Sequence, residues 1–378
     1  MQFTDVHFKY GNPASDIALK RINEVLDAER PDLVVFTGDV VYAKPAETAM
    51  RTVLACASSR KIPFVVTFGN HDNEQDKTRA ELYDVVRSVP YNIQPDRGEA
   101  DSPDYVLALQ ASDSNRDAAL LYCMDSHSYS RLPDVKGYAW FTFDQVNWYR
   151  SQSAAYTERN GGKPLPALAF FHIPLPEYNQ AAADESAILI GTRMEKACAP
   201  LLNTGMFAAM KEAGDVMGTF VGHDHDNDYS VMWHGILLAY GRFTGGNTEY
   251  NHLPNGARVI LMKETPAHSL PGFVSKAGRL WTKRFIRTAT GKTIGVSVRR
   301  LERSNQGAVT FSPFTTTLSS VRFTTFSICI ALGAFFTLMF RRVMLCSLAS
   351  GSPLAMSATL STRLQVTSSM QMLRNSVG

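Results

Sequence analysis

The stretch GHDHDND, residues 222–228, places two histidines and three aspartates within seven residues, directly after an apolar run. Four other short stretches are built alike: TDVH (4–7), GD (38–39), GNHD (69–72) and FHIP (171–174). Each ends an apolar segment on imidazole, carboxylate or carboxamide groups. Imidazole mixed with carboxylate and carboxamide, without thiolate, suits borderline first-row cations such as iron, zinc or manganese. A carboxylate can serve two cations at once, and Asp39 is the candidate for that bridging place. Two ions held roughly 3.5–4 Å apart can grip a phosphoryl group and lower the pKa of a shared water, giving a hydroxide for in-line attack. A lone histidine such as His172 in FFHIP is an ordinary strand-end residue. What argues for chemistry is the joint occurrence of Asp5, His7, Asp39, Asn70, His71, His172, His223 and His225.

Such residues need rigid elements beneath them. DIALKRINEVLDAERP (16–31) repeats apolar residues at helical spacing, opens on Asp16 as a plausible cap and stops at Pro31. DLVVFTGD follows as a short apolar strand, then a helical stretch from about 46 to 60 and the strand of IPFVVTFGNHD. Strands alternating with helices imply an α/β sheet, with chemistry gathered on the loops beyond the strands' carboxyl ends. Asp5 and His7, Asp39, and Asn70, His71 and Asp72 fall on three such exits. Further along, YVLAL (105–109) and ALLYCMDS (119–126) read as strands joined by a polar turn, and FTFDQVNWYRSQSAAY as the start of a helix. LPALAFFHIPLPEY (165–178) reads as a strand ending at His172, and DVMGTFV as one running into GHDHDND. From about 229 to 263, YSVMWHGILLAYGR and ARVILMK read as further strands, expected as a second sheet packed on the first.

In order and in register, TDVH, GDVVY, GNHD, FHIPLPEY and GHDHDND resemble the five blocks of the calcineurin-like metallophosphoesterase superfamily. LYCMDSHSYS, DQVNWY, NTGMF and GHDHDNDYSVMWHGILLAYGR narrow the resemblance to its purple-acid-phosphatase-related branch, which includes the Dcr2-type phosphatases. The likeness runs from residue 2 to about 263. It implies an α/β fold, a four-layer α/β/β/α sandwich, that hydrolyses phosphate monoesters, of small molecules or phosphoproteins, at a dinuclear centre. It further implies two divalent or mixed-valence ions, iron with zinc or manganese. Asp5, His7, Asp39 and His225 would hold one ion and Asp39, Asn70, His172 and His223 the other. His71 is similar to the family's non-ligand histidine, which contacts the phosphate and protonates the leaving alkoxide or stabilises its charge. The purple enzymes bind ferric iron through a tyrosine placed like Tyr42 and lack a histidine like His7, whereas this chain has both. His7 is expected to ligate with Tyr42 nearby, giving a colourless protein. The same centre could also cut diesters, or the fold could persist as a silent metal-binding scaffold.

Other polar residues receive plainer readings. His127 is expected on an exposed loop or, where the branch resembled commonly has a small residue, lining the substrate cleft, and Asp72 as a holder of His71 or of its loop. Asp224, Asp226 and Asp228 are expected to form the turn and to fix histidine tautomers. Glu177 reads as structural or a rim contact, and His234 and His252 as structural histidines without a placed partner.

Composition bounds the rest. With 38 basic and 35 acidic residues among 378, a formal charge of +3 argues against a nucleic-acid surface. The five cysteines include no CxxC pair, so neither a disulfide framework nor a thiolate zinc site is suggested. No signal peptide is legible, and the chain opens on its first expected strand, as a truncated product would. One phosphoesterase domain is expected over 1–265, followed by an extension or linker at 266–322. The uncharged, apolar FTTFSICIALGAFFTLMF (323–340) has arginines on both flanks. As a helix it would span about 27 Å, enough for a single transmembrane pass and hence a membrane location, with a loosely ordered tail at 341–378.

Overall fold

A computed structural model describes residues 1–112 and 114–263, with the strand segments 272–274, 286–287, 293–294, 297–299, 313–318, 321–326 and 345–348. In chain order the first part contains β1 (Gln2–Phe3), α1 (Asp16–Glu29), β2 (Val34–Thr37), α2 (Ala46–Ser58), β3 (Phe64–Thr67) and α3 (Arg79–Ser88). Then come β4 (Tyr105–Gln110), β5 (Asp117–Cys123), α4 (Phe143–Arg159), β6 (Ala167–Phe170), α5 (Glu177–Ala183), β7 (Leu189–Ile190) and α6 (Met206–Ala213). The strands β8 (Val216–Val221), β9 (Ser230–Trp233), β10 (Ile236–Tyr240), β11 (Ala257–Val259) and β12 (Leu261–Lys263) complete it.

These strands form two main sheets. The first runs β11-β1-β2-β3, with β1, β2 and β3 parallel, and Ser297–Arg299 pairs on the outer side of β11. The second runs β4-β5-β6-β8-β10-β9-β7, with β5, β6, β8 and β10 parallel. The second sheet therefore begins at residue 105, far earlier than the expected 229, and β11 returns to the first sheet. Alternation along a strand identifies it as a strand, while its choice of neighbour is set by what its two faces meet.

Those faces are read from side-chain burial. Val34 and Phe36 of β2 and Phe64 and Val66 of β3 pack with α1, α2 and α3, whereas Val35 and Val65 point the other way. There they meet Leu168 and Phe170 of β6, Met217 and Phe220 of β8 and Leu237 of β10. The alternate residues of those strands, among them Ala167, Ala169, Ile236 and Leu238, pack with α4, α5 and α6. Helices, sheet, sheet and helices thus make four layers with three apolar seams, and period-two alternation assigns each side chain its seam. Each fully buried Val, Leu or Phe contributes about 1.5–3 kcal/mol, so the strand ends are fixed on a stiff base.

Two of the six described helix starts follow the side-chain capping rule. Thr78 with Glu81 and Thr142 with Gln145 form capping boxes at α3 and α4. At α1, Ser15 occupies the cap position without a side-chain bond to the helix, its hydroxyl accepting the Lys9 N–H (2.9 Å) instead, and Asp16 lies in the first turn, where its charge faces the positive end of the helix.

The chain divides into two compact units, Met1–Glu302 and Arg303–Gly378. Among the described residues of the second, Pro313–Leu318, Val321–Phe326 and Leu345–Leu348 pair as an antiparallel sheet. Residues 323–326 of the expected membrane helix are therefore extended, and 327–340 lie outside the described residues. No helix among the described residues is long and apolar enough to cross a membrane.

Candidate metal centre

Five strand exits converge on one buried cluster. Beyond β1, Asp5 and His7 run beside the exit of β2, with Asp5 N–H donating to Gly38 O (3.1 Å) and His7 N–H to Asp39 O (2.8 Å). Asn70 and His71 follow β3, His172 follows β6, and His223 and His225 follow β8. Four of the seven candidate ligands, Asp5 (φ 53°), His7 (φ 45°), Asp39 (φ 50°) and His223 (φ 80°), adopt left-handed backbone. That region costs an L-residue about 1–2 kcal/mol, and such strain collects at sites where the surroundings over-determine it. Gly69 shows how tight the loops are: a Cβ there would strike the Asp39 carboxylate and main chain.

Asp72 holds these loops, as one of its expected readings had it. Its carboxylate accepts N–H groups from Asp39 (3.0 Å), Val40 (2.8 Å), Val41 (3.1 Å) and Gly69 (2.8 Å). Burial and the nearby Asp39 charge push its carboxyl above the ordinary range.

Donor atoms gather within 4.8 Å of one another in three groups: Asp5, His7 and His225; Asp39, His172 and His223; and His7, Asp39 and His71. Asp39 Oδ2 lies 3.4 Å from His7 Nε2 and 3.1 Å from His172 Nε2, so one oxygen serves both sides. Asp5 Oδ1 lies 3.7 Å from His225 Nε2, and its carboxylate accepts His223 N–H at 3.0 Å. Burial alone would raise the Asp39 pKa, but the imidazoles of His172 and His7 hold it well below the usual carboxylate range. Burial opposes the imidazolium of His172, yet Asp39 and Asp5 override it and carry the ring up to about 10. Burial and the neighbouring His172 hold His223 well below its usual value.

The donor set fits metal ions. His7 Nδ1, Asn70 Oδ1, His172 Nε2 and His223 Nε2 are buried side-chain atoms with no hydrogen-bond partner among the described residues, His172 Nε2 lying 3.1 Å from Asp39 Oδ2 without being aligned to bond it. An orphaned polar atom is costly, and four in one cluster of nitrogen and oxygen donors are what a cation would satisfy. Two of the rings are oriented for it. His172 Nδ1 meets Thr37 O (2.8 Å) and His225 Nδ1 meets Tyr250 O (2.9 Å). A carbonyl only accepts, so each Nδ1 carries a hydrogen and each Nε2 faces the cluster, where it can bind a cation once any proton of its own has left.

This corrects the role given to the three aspartates. Asp224 accepts the Tyr240 hydroxyl (2.6 Å), Asp226 pairs with His252 Nδ1 (2.6 Å) and Asp228 pairs with Arg242 (2.8 Å). They pin the loop, while main-chain carbonyls set the tautomers of His172 and His225. Burial pushes the Asp224 carboxyl up to about 7. His252 therefore has a partner, contrary to expectation. His127 is half-buried rather than exposed, with Nε2 2.8 Å from Gln145 Oε1. Glu177 is buried and accepts from Asn203 (2.8 Å), a structural part. Tyr42 packs its ring against His71 (4.6 Å) and His7 (5.3 Å).

Sequence reasoning passed over two anchors. Arg79 donates to both oxygens of Asp125 (3.0 and 2.7 Å) and to Gly69 O (3.0 Å), joining the exit of β5 to the Asn70 loop. Asp125, a carboxylate at a strand exit, carried the same signal as Asp39; Arg79 carried none.

The family model for calcineurin-like phosphoesterase matches residues 1–227. Over 239 residues the chain is 35% identical to an Arabidopsis thaliana protein named probable inactive purple acid phosphatase 29, covering 58% of this chain and 61% of that one. It is 30% identical over 286 residues to probable inactive purple acid phosphatase 14 of the same plant, covering 65% and 70%. It is 32% identical over 241 residues to phosphatase DCR2 of Saccharomyces cerevisiae, covering 58% and 41%. The chain thus spans about three fifths of the first of these relatives.

Proposed function

We propose, from the premise that this chain belongs to the calcineurin-like phosphoesterase family, that it hydrolyses phosphate monoesters at a dinuclear metal centre. Asp5, His7, Asp39, Asn70, His172, His223 and His225 would hold the ions. The observation that carries this reading is the convergence of five loops on a cluster with four buried, unpartnered donor atoms. Two cations in it, iron with zinc or manganese, would supply Lewis-acid activation of water and of the phosphoryl group.

The chain's own residues do the rest. Asp39 presents one oxygen between two imidazoles and would serve both ions. The main-chain acceptors at Thr37 and Tyr250 keep His172 and His225 aimed inward without rearrangement during turnover. His71, whose side chain is 26% exposed beside Asp39 and His7, is placed to contact the phosphate and give a proton to the leaving alkoxide. His7 rather than Tyr42 completes the first position, so the loaded protein is colourless. The ester is that of a small molecule or a phosphoprotein.

A second reading, a silent metal-binding scaffold, is favoured by the names of the two plant relatives. One experiment separates the readings: bound metal measured by mass spectrometry on the full chain, with p-nitrophenyl phosphate and its bis-ester as substrates and Asp39→Asn alongside. Two metal equivalents with monoester turnover lost in the variant support the phosphomonoesterase. Preference for the bis-ester supports a diesterase, and metal without turnover on a broad phosphate panel supports the scaffold.

A further inference from the structure

Beside the centre, one phenol hydroxyl links two residues whose roles differ. Asn70 Nδ2 donates to Tyr129 Oη (3.2 Å), Tyr129 Oη donates to Glu74 Oε1 (2.8 Å), and His71 Nδ1 lies 2.6 Å from Glu74 Oε2. A carboxylate accepts and does not donate, so both Glu74 oxygens are committed as acceptors. The single hydroxyl hydrogen of Tyr129 therefore goes to Glu74, and its lone pair is left for Asn70. Only the amide nitrogen of Asn70 can answer a lone pair, which turns Oδ1, buried and unpartnered, away from Tyr129. The other Glu74 oxygen likewise holds a hydrogen on His71 Nδ1, so that Nε2 faces the reacting groups and is the atom on which a second proton, the one given to a leaving alkoxide, would sit. Two ring contacts hold the network still: Tyr129 stacks on Tyr138 (5.7 Å, 24°), and Tyr42 packs against His71 at 4.6 Å.

We infer that Glu74 and Tyr129 are positioning residues that fix, through one shared hydrogen-bond chain, which atom Asn70 offers to a metal and which nitrogen His71 offers to substrate. The inference rests on the phosphatase reading for its catalytic consequence and on geometry alone for the orientation. Asn70 follows Gly69 on the same loop as Glu74, whereas Tyr129 comes from the loop beyond β5, so the chain joins two sequence-distant segments at the mouth of the centre. It also gives the local spacing in GNHDNE a use: the Glu74 N–H donates to His71 O (3.1 Å), and that turn returns the carboxylate to the ring.

The test uses the full chain with Glu74→Ala, Glu74→Gln and Tyr129→Phe. Two-bond imidazole 1H–15N spectra of histidine-labelled protein, with His71 assigned by its loss in His71→Asn, read the tautomer without turnover. The expected result is an Nδ1–H tautomer in the parent and a mixture in Glu74→Ala. For turnover, Glu74→Ala is expected to lower kcat about 10- to 100-fold with KM within about twofold. The loss should be larger for phenyl phosphate, whose leaving group needs a proton more, than for p-nitrophenyl phosphate. Glu74→Gln, which keeps one acceptor oxygen, should recover part of it. Tyr129→Phe should lower the affinity for the second metal equivalent about tenfold, because Asn70 loses its reference. An unchanged tautomer and kcat in Glu74→Ala, or unchanged metal affinity in Tyr129→Phe, overturns the inference. A parent without turnover whose His71 tautomer depends on Glu74 leaves the positioning intact and overturns the phosphatase reading instead.

Discussion

On the first sheet's side of the centre, Asp5 and Asp39 are oxygen donors set by the main chain, whereas on the second sheet's side His172 and His225 are nitrogen donors set by what their rings meet. Asp5 and Asp39 stand on left-handed backbone, and Asp72 clamps the second and third loops with four N–H bonds. His172 and His225 instead spend Nδ1 on the carbonyls of Thr37 and Tyr250. The first arrangement is bound up with folding itself, because the groups that aim the ligands also satisfy buried peptide groups. The second is local: a ring can lose a neighbour and leave the sheet beneath it unchanged. Stability and metal affinity should therefore move together on one side and separate on the other.

Asp72→Ala is the strongest way to break that contrast. It strands four buried N–H groups, and a loss of about 3–5 kcal/mol, together with loss of bound metal, is expected from denaturant unfolding. A loss under about 1 kcal/mol would show that the first loops hold themselves. Tyr250→Leu tests the other side by removing the ring stacked on His225 at 4.4 Å while keeping the carbonyl. Metal affinity by titration calorimetry should fall about tenfold with little change in unfolding midpoint; a midpoint falling as far as in Asp72→Ala erases the distinction.

The smallest effect lies at the rim. The Asp226 carboxylate, through its hydrogen bond and charge, raises the pKa of His252. A folded value above the unfolded one, about 6.5, gives stabilisation that is complete below that pH and lost as pH rises through the raised value. The imidazole is exposed and the pair screened by solvent on that side, so its contribution is slight. His252→Gln should flatten the thermal midpoint between pH 5 and 9; an unchanged slope means that the rim pair contributes nothing.

How far the sequence reaches follows the same division. Asp39, Asn70, His172 and His223 could be read because each directly follows an apolar run, and a strand that stops in polar residues must deliver them somewhere. The partition of strands between sheets could not, since nothing in YVLALQ of β4 or ARV of β11 names the neighbours that their faces meet. Nor could the tautomers of His172 and His225, because a carbonyl is present at every residue and only folding selects Thr37 and Tyr250. Arg79 was hidden for a similar reason: its partner Asp125 is 46 positions away.

The left-handed backbone at Asp5, His7, Asp39 and His223 has a further consequence. At these positions the residue that the main chain prefers is glycine, and glycine can bind nothing. Under the proposed function, conformational preference and chemistry there select opposite residues, so a lineage released from that reaction would gain backbone freedom by discarding these side chains. Keeping Asp, His, Asp and His at such places is a stability–function compromise written into the peptide itself.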